Sequence, residues 1–253
     1  MASAVTVIAL VASVLVGAAL QRIAGMGFAM VVAPFAILLL PGQQGVVFAN
    51  LCGAATALAL IWPVLREIDW GRLGVLSVTS VFGAAAGAVI IRSLDAGMFR
   101  VVVGVVLLAG IALSLAMSKA TYMAPPICAS LAAGTATGML VTMSGIGGPP
   151  MSIYALATRW EHHRFAATMQ PFVALSSVIG ASAVLLSMPE AVPVLDPTVW
   201  VLIIIGIAAG LVGGNALHRV VPPRIGRLTV VLLGVAGAVT AIISGAAALS
   251  APA

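Results

Sequence analysis

Ten apolar runs fill most of this 253-residue chain, at about 3–22, 28–40, 44–65, 73–91, 100–117, 126–143, 149–158, 166–187, 198–217 and 228–249. A helix rises about 1.5 Å per residue, so seven or eight of the runs can cross about 30 Å of hydrocarbon. Charged residues make up 7% of the chain, against about 25% in a soluble domain, and they cluster in the connections. Too little polar surface exists to clothe a soluble fold, so the chain is expected to be an all-α membrane protein, a polytopic helical bundle. A membrane β-barrel would need alternating segments of about ten residues, and none is visible.

Two of the runs are too short to span. Phe28–Leu40 and Pro149–Thr158 each follow directly on a glycine-rich break, Gly25-Met26-Gly27-Phe28 and Ser144-Gly145-Ile146-Gly147-Gly148-Pro149-Pro150. The breaks are related, since 145 − 25 and 147 − 27 both give an offset of 120. Further along, Gly83, Gly87, Arg92, Arg100 and Gly110 fall on Gly210, Gly214, Arg219, Arg227 and Gly237 at an offset of 127. The chain therefore reads as one transmembrane domain over 1–253, with repeat 1 over 1–118, a linker at 119–125 and repeat 2 over 126–253. Each repeat is expected to hold a Gly-broken hairpin with a half-helix, then three full transmembrane helices. Matching helix breaks in two halves point to a transporter whose site lies where the breaks meet. Spacings such as Gly83-x-x-x-Gly87, Gly134-x-x-x-Gly138 and Gly210-x-x-x-Gly214 let helices approach closely.

If each hairpin returns to the side it came from, Arg66, Arg72, Lys119, Arg159, Arg164, Arg219, Arg224 and Arg227 share one side, and only Arg92 and Arg100 the other. The basic side is assigned to the cytoplasm. Glu190, Asp196 and both termini then face outside, and the halves are inverted relative to one another. Met1–Leu20 has no basic residue ahead of its apolar run, so it is expected to be retained rather than cleaved as a signal. The net charge of +5 sits in short loops and forms no basic face, which argues against a nucleic-acid partner. The lipid bilayer and a small anionic substrate are the expected partners, and a homodimer is an assembly open to such a chain.

All six acids, Glu67, Asp69, Asp95, Glu161, Glu190 and Asp196, lie in loops. Proton- and cation-coupled carriers usually keep a carboxylate in the bundle. No HExxH motif and no cofactor motif is present, no metal site is expected, and no enzyme activity is expected. What remains in the membrane suits an anion. Helices starting after Gly27 and after Gly147-Gly148 would aim free N–H groups and positive dipole ends at a common site. The candidate binding residues are therefore Gly25, Gly27, Phe28, Ser144, Gly145, Gly147, Gly148 and Pro149. Arg22, next to Gln21, is a buried substrate partner if the break lies inside the membrane, and a surface cation if the helix crosses fully. Its mate at the 120 offset is Thr142, so the cation is not duplicated. Asn50 and Gln170 also align at 120 and could either bind an oxyanion or bond between helices. Valine at Gly147 is expected to leave a folded protein that binds poorly, and at Gly110, read as peripheral, to leave affinity nearly unchanged.

The paired breaks, the Gly145-Ile146-Gly147-Gly148-Pro149 motif and the two-repeat layout resemble the sulfite exporter TauE/SafE family over nearly the whole chain. Phe28 stands where a third glycine is common in that family. The resemblance implies export of sulfite, an organosulfonate or a related sulfur-containing anion across the bacterial inner membrane. Two rival readings stay open. One is a metal-cation or neutral-solute transporter, suggested by Met26, Met30, Met139, Met143 and Met151 near the breaks. The other is a membrane enzyme or assembly factor.

Overall fold

The computed structural model describes residues 4–25, 27–117, 126–217 and 222–250. Met26, the linker 119–125 with Lys119, and His218 with Arg219 lie outside the described residues, as do the side chains of Arg224 and Arg227. Among the described residues the regular structure is helical. It comprises α1 (Ala4–Ala24), α2 (Phe28–Leu39), α3 (Gln44–Ala59), α4 (Trp70–Arg92), α5 (Ala96–Met117), α6 (Pro126–Ser144), α7 (Gly148–Ala157), α8 (His162–Ser187), α9 (Pro197–Leu217) and α10 (Pro223–Ser250). Helix is the conformation that satisfies each backbone N–H and C=O without water, which the hydrocarbon lacks. Seven of these helices are long and apolar enough to cross a membrane.

The expected half-helices are present as α2, with 12 residues, and α7, with 10. One expectation fails. The run 44–65 is not a single crossing helix: α3 ends at Ala59 after 16 residues, and a 3₁₀ turn occupies Trp62–Glu67. Sixteen residues reach only about 24 Å. Pro63 has no N–H to offer the Ala59 carbonyl, so the α-helical ladder cannot run on through this point. Trp62 and Trp70 are exposed on either side of Arg66, as aromatic rings at a membrane–water boundary would be.

Asp69, Asp95 and Asp196 serve helix starts. Asp69 accepts a hydrogen bond from Arg72 N at 3.1 Å at the head of α4, and Asp95 accepts one from Met98 N at 2.8 Å at the head of α5. Asp196 accepts one from Thr198 N at 2.8 Å at the head of α9, and hydrogen bonds from the Thr198 side chain and N–H hold its carboxyl below the usual carboxylate value. Around the outside, Phe82 and Val89 of α4, Ile204 and Val212 of α9, and Leu232 and Ile243 of α10 are exposed. That is the surface a lipid-facing bundle presents. α8 is the most enclosed of the long helices and α10 the least.

The helix pairings cross between the halves. α1 packs on α9 and α4 on α6; α5 packs on α10 and α3 on α8; α2 packs on α10 and α7 on α5. The glycines mediate this. A Cβ on Gly83 would overlap the Thr135 carbonyl oxygen, and one on Gly210 the Leu15 carbonyl oxygen. One turn on, a Cβ at Gly87 would lie 2.8 Å from the Met139 carbonyl oxygen, and one at Gly214 2.7 Å from that of Ala19. These contacts map onto each other under the same offsets, 127 for the glycines and 120 for the carbonyls.

Candidate functional site

The two breaks open alike, while their second glycines differ, Gly27 at φ +139° and Gly147 at φ −112°. Gly25 (φ +77°) and Gly145 (φ +75°) both take the left-handed conformation that glycine adopts without a Cβ penalty. Each N–H still bonds the carbonyl one turn back, Gly25 to Gln21 O at 2.9 Å and Gly145 to Val141 O at 2.8 Å. The chain then reverses, and α2 begins after Gly27 and α7 after Gly147.

Amides brace the breaks crosswise. Asn50, from the first half, donates through Nδ2 to Val141 O at 3.1 Å in the second. Gln170, from the second half, donates through Nε2 to Gly25 O at 3.4 Å in the first. Gln21 joins them: its Nε2 donates to Gln170 Oε1 at 3.4 Å, and its Oε1 accepts from Phe28 N at 3.2 Å. The amide pair aligned at 120 therefore holds the turns in shape from behind, and neither member lines the cavity described next.

A cavity of about 480 Å³ runs from both breaks along α7 and α8 to the connection between them. Gly148, Ser152, Ala155 and Leu156 face it from α7, and Phe165, Met169, Phe172 and Ser176 from α8. These spacings of three, four and seven put each set on one side of its helix. α7 and α8 approach each other less closely along their backbones than their counterparts α2 and α3 do, and their side chains meet in one cluster that holds Met151, Tyr154, Phe165 and Met169. The open space is thus one-sided and ends near Trp160 and His162.

Among the described residues, no Asp, Glu, Lys or Arg lines the cavity. Its polar groups are neutral: Gln21, hydroxyls, backbone and the Trp160 indole, with His162 near the mouth. Ser152 and Ser176 spend their hydroxyls on Gly148 O (3.2 Å) and Val173 O (3.3 Å). Two donors are unspent, since Thr137 Oγ1 and Trp160 Nε1 are buried and without a partner. Trp160 is fixed by edge-on contacts to Tyr154 and Phe165, with ring centroids 5.6 and 5.5 Å away. The Arg72 guanidinium lies 4.6 Å from the centroid of the Trp160 ring, and Arg72 also pairs with Asp69 at 3.6 Å.

The helix starts are unequal in donors. In α2, Gln21 occupies the Phe28 N–H, and helix geometry leaves those of Ala29 and Met30 without an intrahelical acceptor. In α7 the second and third positions are Pro149 and Pro150, which have no N–H, so Gly148 alone supplies one in that stretch.

Of the residues singled out from sequence, Gln21, Gly27, Phe28, Gly145, Gly147 and Gly148 line the cavity. Gly25 shapes the first turn. Ser144 is buried and donates to Leu140 O at 2.8 Å. Pro149 turns toward α5, where a Cβ on Gly110 would lie 2.9 Å from its ring. Gly110 is therefore not peripheral. Gly147 is also tighter than expected: a Cβ there would lie 2.6 Å from methyls of both Thr137 and Val141, so valine would disturb packing as well as binding. Arg22 is exposed, and its Nε and Nη2 donate to Asn215 Oδ1 at 3.2 and 2.8 Å, away from the cavity. The buried-cation alternative for Arg22 does not match this placement. Of the methionines, Met30 and Met169 line the cavity, Met139 and Met143 pack in the main core, and Met151 packs in the cluster around Trp160.

Sequence reasoning passed over Thr137, Trp160, Phe172 and Ser177. Serine and threonine are frequent in these helices, and most return their hydroxyl to a carbonyl one turn back, so Thr137 carries no mark in the sequence. Trp160, between Arg159 and Glu161, reads as an interfacial aromatic.

No curated protein and no solved structure matches the chain. The family model described as "Sulfite exporter TauE/SafE" matches residues 9–240, nearly the full length and both breaks. This multi-pass helical protein belongs to the sulfite exporter TauE/SafE family of membrane transporters.

Proposed function

We propose that the chain exports a small sulfur-containing anion, sulfite or an organosulfonate, across the bacterial inner membrane. The observation that carries this is the cavity between the two glycine breaks, which has hydrogen-bond donors and no carboxylate. Membership of the family supports the same reading. A volume of about 480 Å³ is within the range of about 300–1,000 Å³ that accepts whole organic ligands. The aromatic and aliphatic walls favour an organosulfonate, whose apolar body they would cover, over bare sulfite. The deciding experiment is flux into proteoliposomes holding this protein alone, with sulfite, methanesulfonate and butanesulfonate offered in turn. Saturable sulfonate flux that protein-free vesicles lack is the expected result. Movement of divalent metal ions or uncharged solutes, with no anion flux, would defeat the proposal.

The two repeats are taken to lie inverted in the membrane, and the cavity to open to the cytoplasm. The excess of Lys and Arg in the loops on that side, the 159–164 connection among them, supports this orientation. Export would then close α8 onto α7 and part α3 from α2, exchanging the roles of the two halves. Orientation has its own test. Glu190→Cys should react with an impermeant thiol reagent on intact cells, and Arg224→Cys should react only after permeabilisation. The reverse pattern would invert the topology and make the cavity outward-facing.

A further inference from the structure

We propose that Thr137 is a substrate-contacting residue, and that its hydroxyl and the Gly148 N–H together seat the oxyanion head at the start of α7. This rests on the reading of the cavity as an anion site and adds to it the place and the donors for the head group. Thr137 is 1% exposed and lines the cavity, and its Oγ1 has no hydrogen-bond partner. That is unusual for a hydroxyl on these helices. Thr56, Thr142, Thr168 and Thr240 each donate to the carbonyl one turn earlier, Cys52, Gly138, Arg164 and Ala236 respectively, at 2.7–2.9 Å. The Thr137 hydroxyl does not take that bond. A buried polar group left unmade carries an energetic cost that calls for an explanation, and a missing ligand supplies one.

Position makes the ligand an anion. The Thr137 methyl is the group that closes on Gly147, 2.6 Å from where a Cβ would stand, so the side chain is beside the N-cap of α7. A helix of 10 residues gives that end a positive dipole. The two prolines leave Gly148 as the one N–H donor over the first three helical positions, so the backbone alone is a poor cradle. A side-chain hydroxyl beside it makes up part of the lost donation. With the head there, the cavity wall formed by Ala155, Leu156 and Phe165 is left for the rest of the substrate.

Thr137→Val tests this, because it keeps the branched shape and removes only the hydroxyl. The measurement is thermal stabilisation of the purified, full-length protein by sulfite, methanesulfonate and butanesulfonate. Without anion, the variant should melt at the parent's temperature or above it, since an unpartnered hydroxyl has gone. Affinity for all three probes should fall about 10- to 100-fold, as for loss of one hydrogen bond to a charged group. The factor should be the same for methanesulfonate and butanesulfonate, because the contact is to the head. Thr137→Ser, which keeps the hydroxyl, should stay within a few-fold of the parent. Valine variants that bind like the parent would overturn the assignment while leaving the anion reading intact. A valine variant that melts well below the parent without anion would show that the hydroxyl serves the fold, and would overturn it too. A parent that none of the three anions stabilises would remove both the anion reading and this inference.

Discussion

Gly138→Ala and Gly83→Ala are each expected to leave little folded protein in the membrane. A methyl at Gly138 would fall on the Ser80 carbonyl oxygen, and one at Gly83 on that of Thr135. Both obstacles are backbone, so no side-chain rotamer relieves them, and α4 and α6 would have to separate. Overpacking of a tight interior costs about 1–3 kcal/mol, and more where the backbone must move. Net stabilities of only about 5–15 kcal/mol leave little room for that. Gly213→Ala is the control, because a Cβ there meets nothing within 4 Å, and alanine is the better helix former. The readout is the yield of monodisperse protein after detergent extraction, with its melting temperature. Parent-like yield and melting for Gly138→Ala would mean that α4 and α6 are not in this contact.

The second large effect is electrical. A monovalent anion leaving a cell gains about 2.3 kcal/mol per 100 mV of inside-negative potential, which corresponds to a gradient of roughly fifty-fold at equilibrium. Among the described residues the cavity is lined by no Asp, Glu, Lys or Arg, so none of those described brings a fixed charge that the empty protein must carry back. Flux is therefore expected to follow the imposed potential, and no single acid should be essential. Replacing Glu67, Asp69, Asp95, Glu161, Glu190 and Asp196 one at a time by the amide should leave voltage-driven flux in proteoliposomes largely unchanged. For Asp69, Asp95 and Asp196 there is an added reason. They cap helices, and asparagine caps about as well as aspartate. Loss of flux in one normally expressed amide variant would reveal a proton relay through that carboxylate.

The breaks were legible because their chemistry is local. A left-handed turn selects glycine, and the half-helix that follows shows as a run too short to span. Gly25 and Gly145 therefore announce themselves, and so do α2 and α7. Hydropathy over 44–65 overstates the length of α3, because it gives no weight to Pro63, a single residue that interrupts the α-helical ladder. The site was legible only in part, since lining a cavity depends on how helices far apart in sequence face each other. Asn50 and Gln170 read as a pair at one depth, and each does bond a carbonyl of the opposite break, Val141 O and Gly25 O, although these two carbonyls are one turn apart under the offset of 120. Which way an amide points is decided by its neighbours, and theirs are carbonyls. Arg22 had two readings in sequence, and Asn215, nearly two hundred residues on, is where the structure takes its guanidinium. Thr137 became visible only as a missing bond, which no sequence displays.

The crosswise bracing bears on how the protein is made. Gly25 waits for a bond from Gln170, 145 residues later in the chain, and Gln21 waits for the same side chain, 149 residues on. At about 5–20 residues per second of synthesis, that is a delay of roughly 7–30 s. Through that interval the Gly25 carbonyl and Gln21 Nε2 lack the partner that α8 brings. The bracing of the first break is therefore a late event in biogenesis, reached when the second half docks rather than when the first half inserts. Each half can form its own turn, but neither alone has the amide that braces it, and co-expression of the two as separate chains should restore that brace.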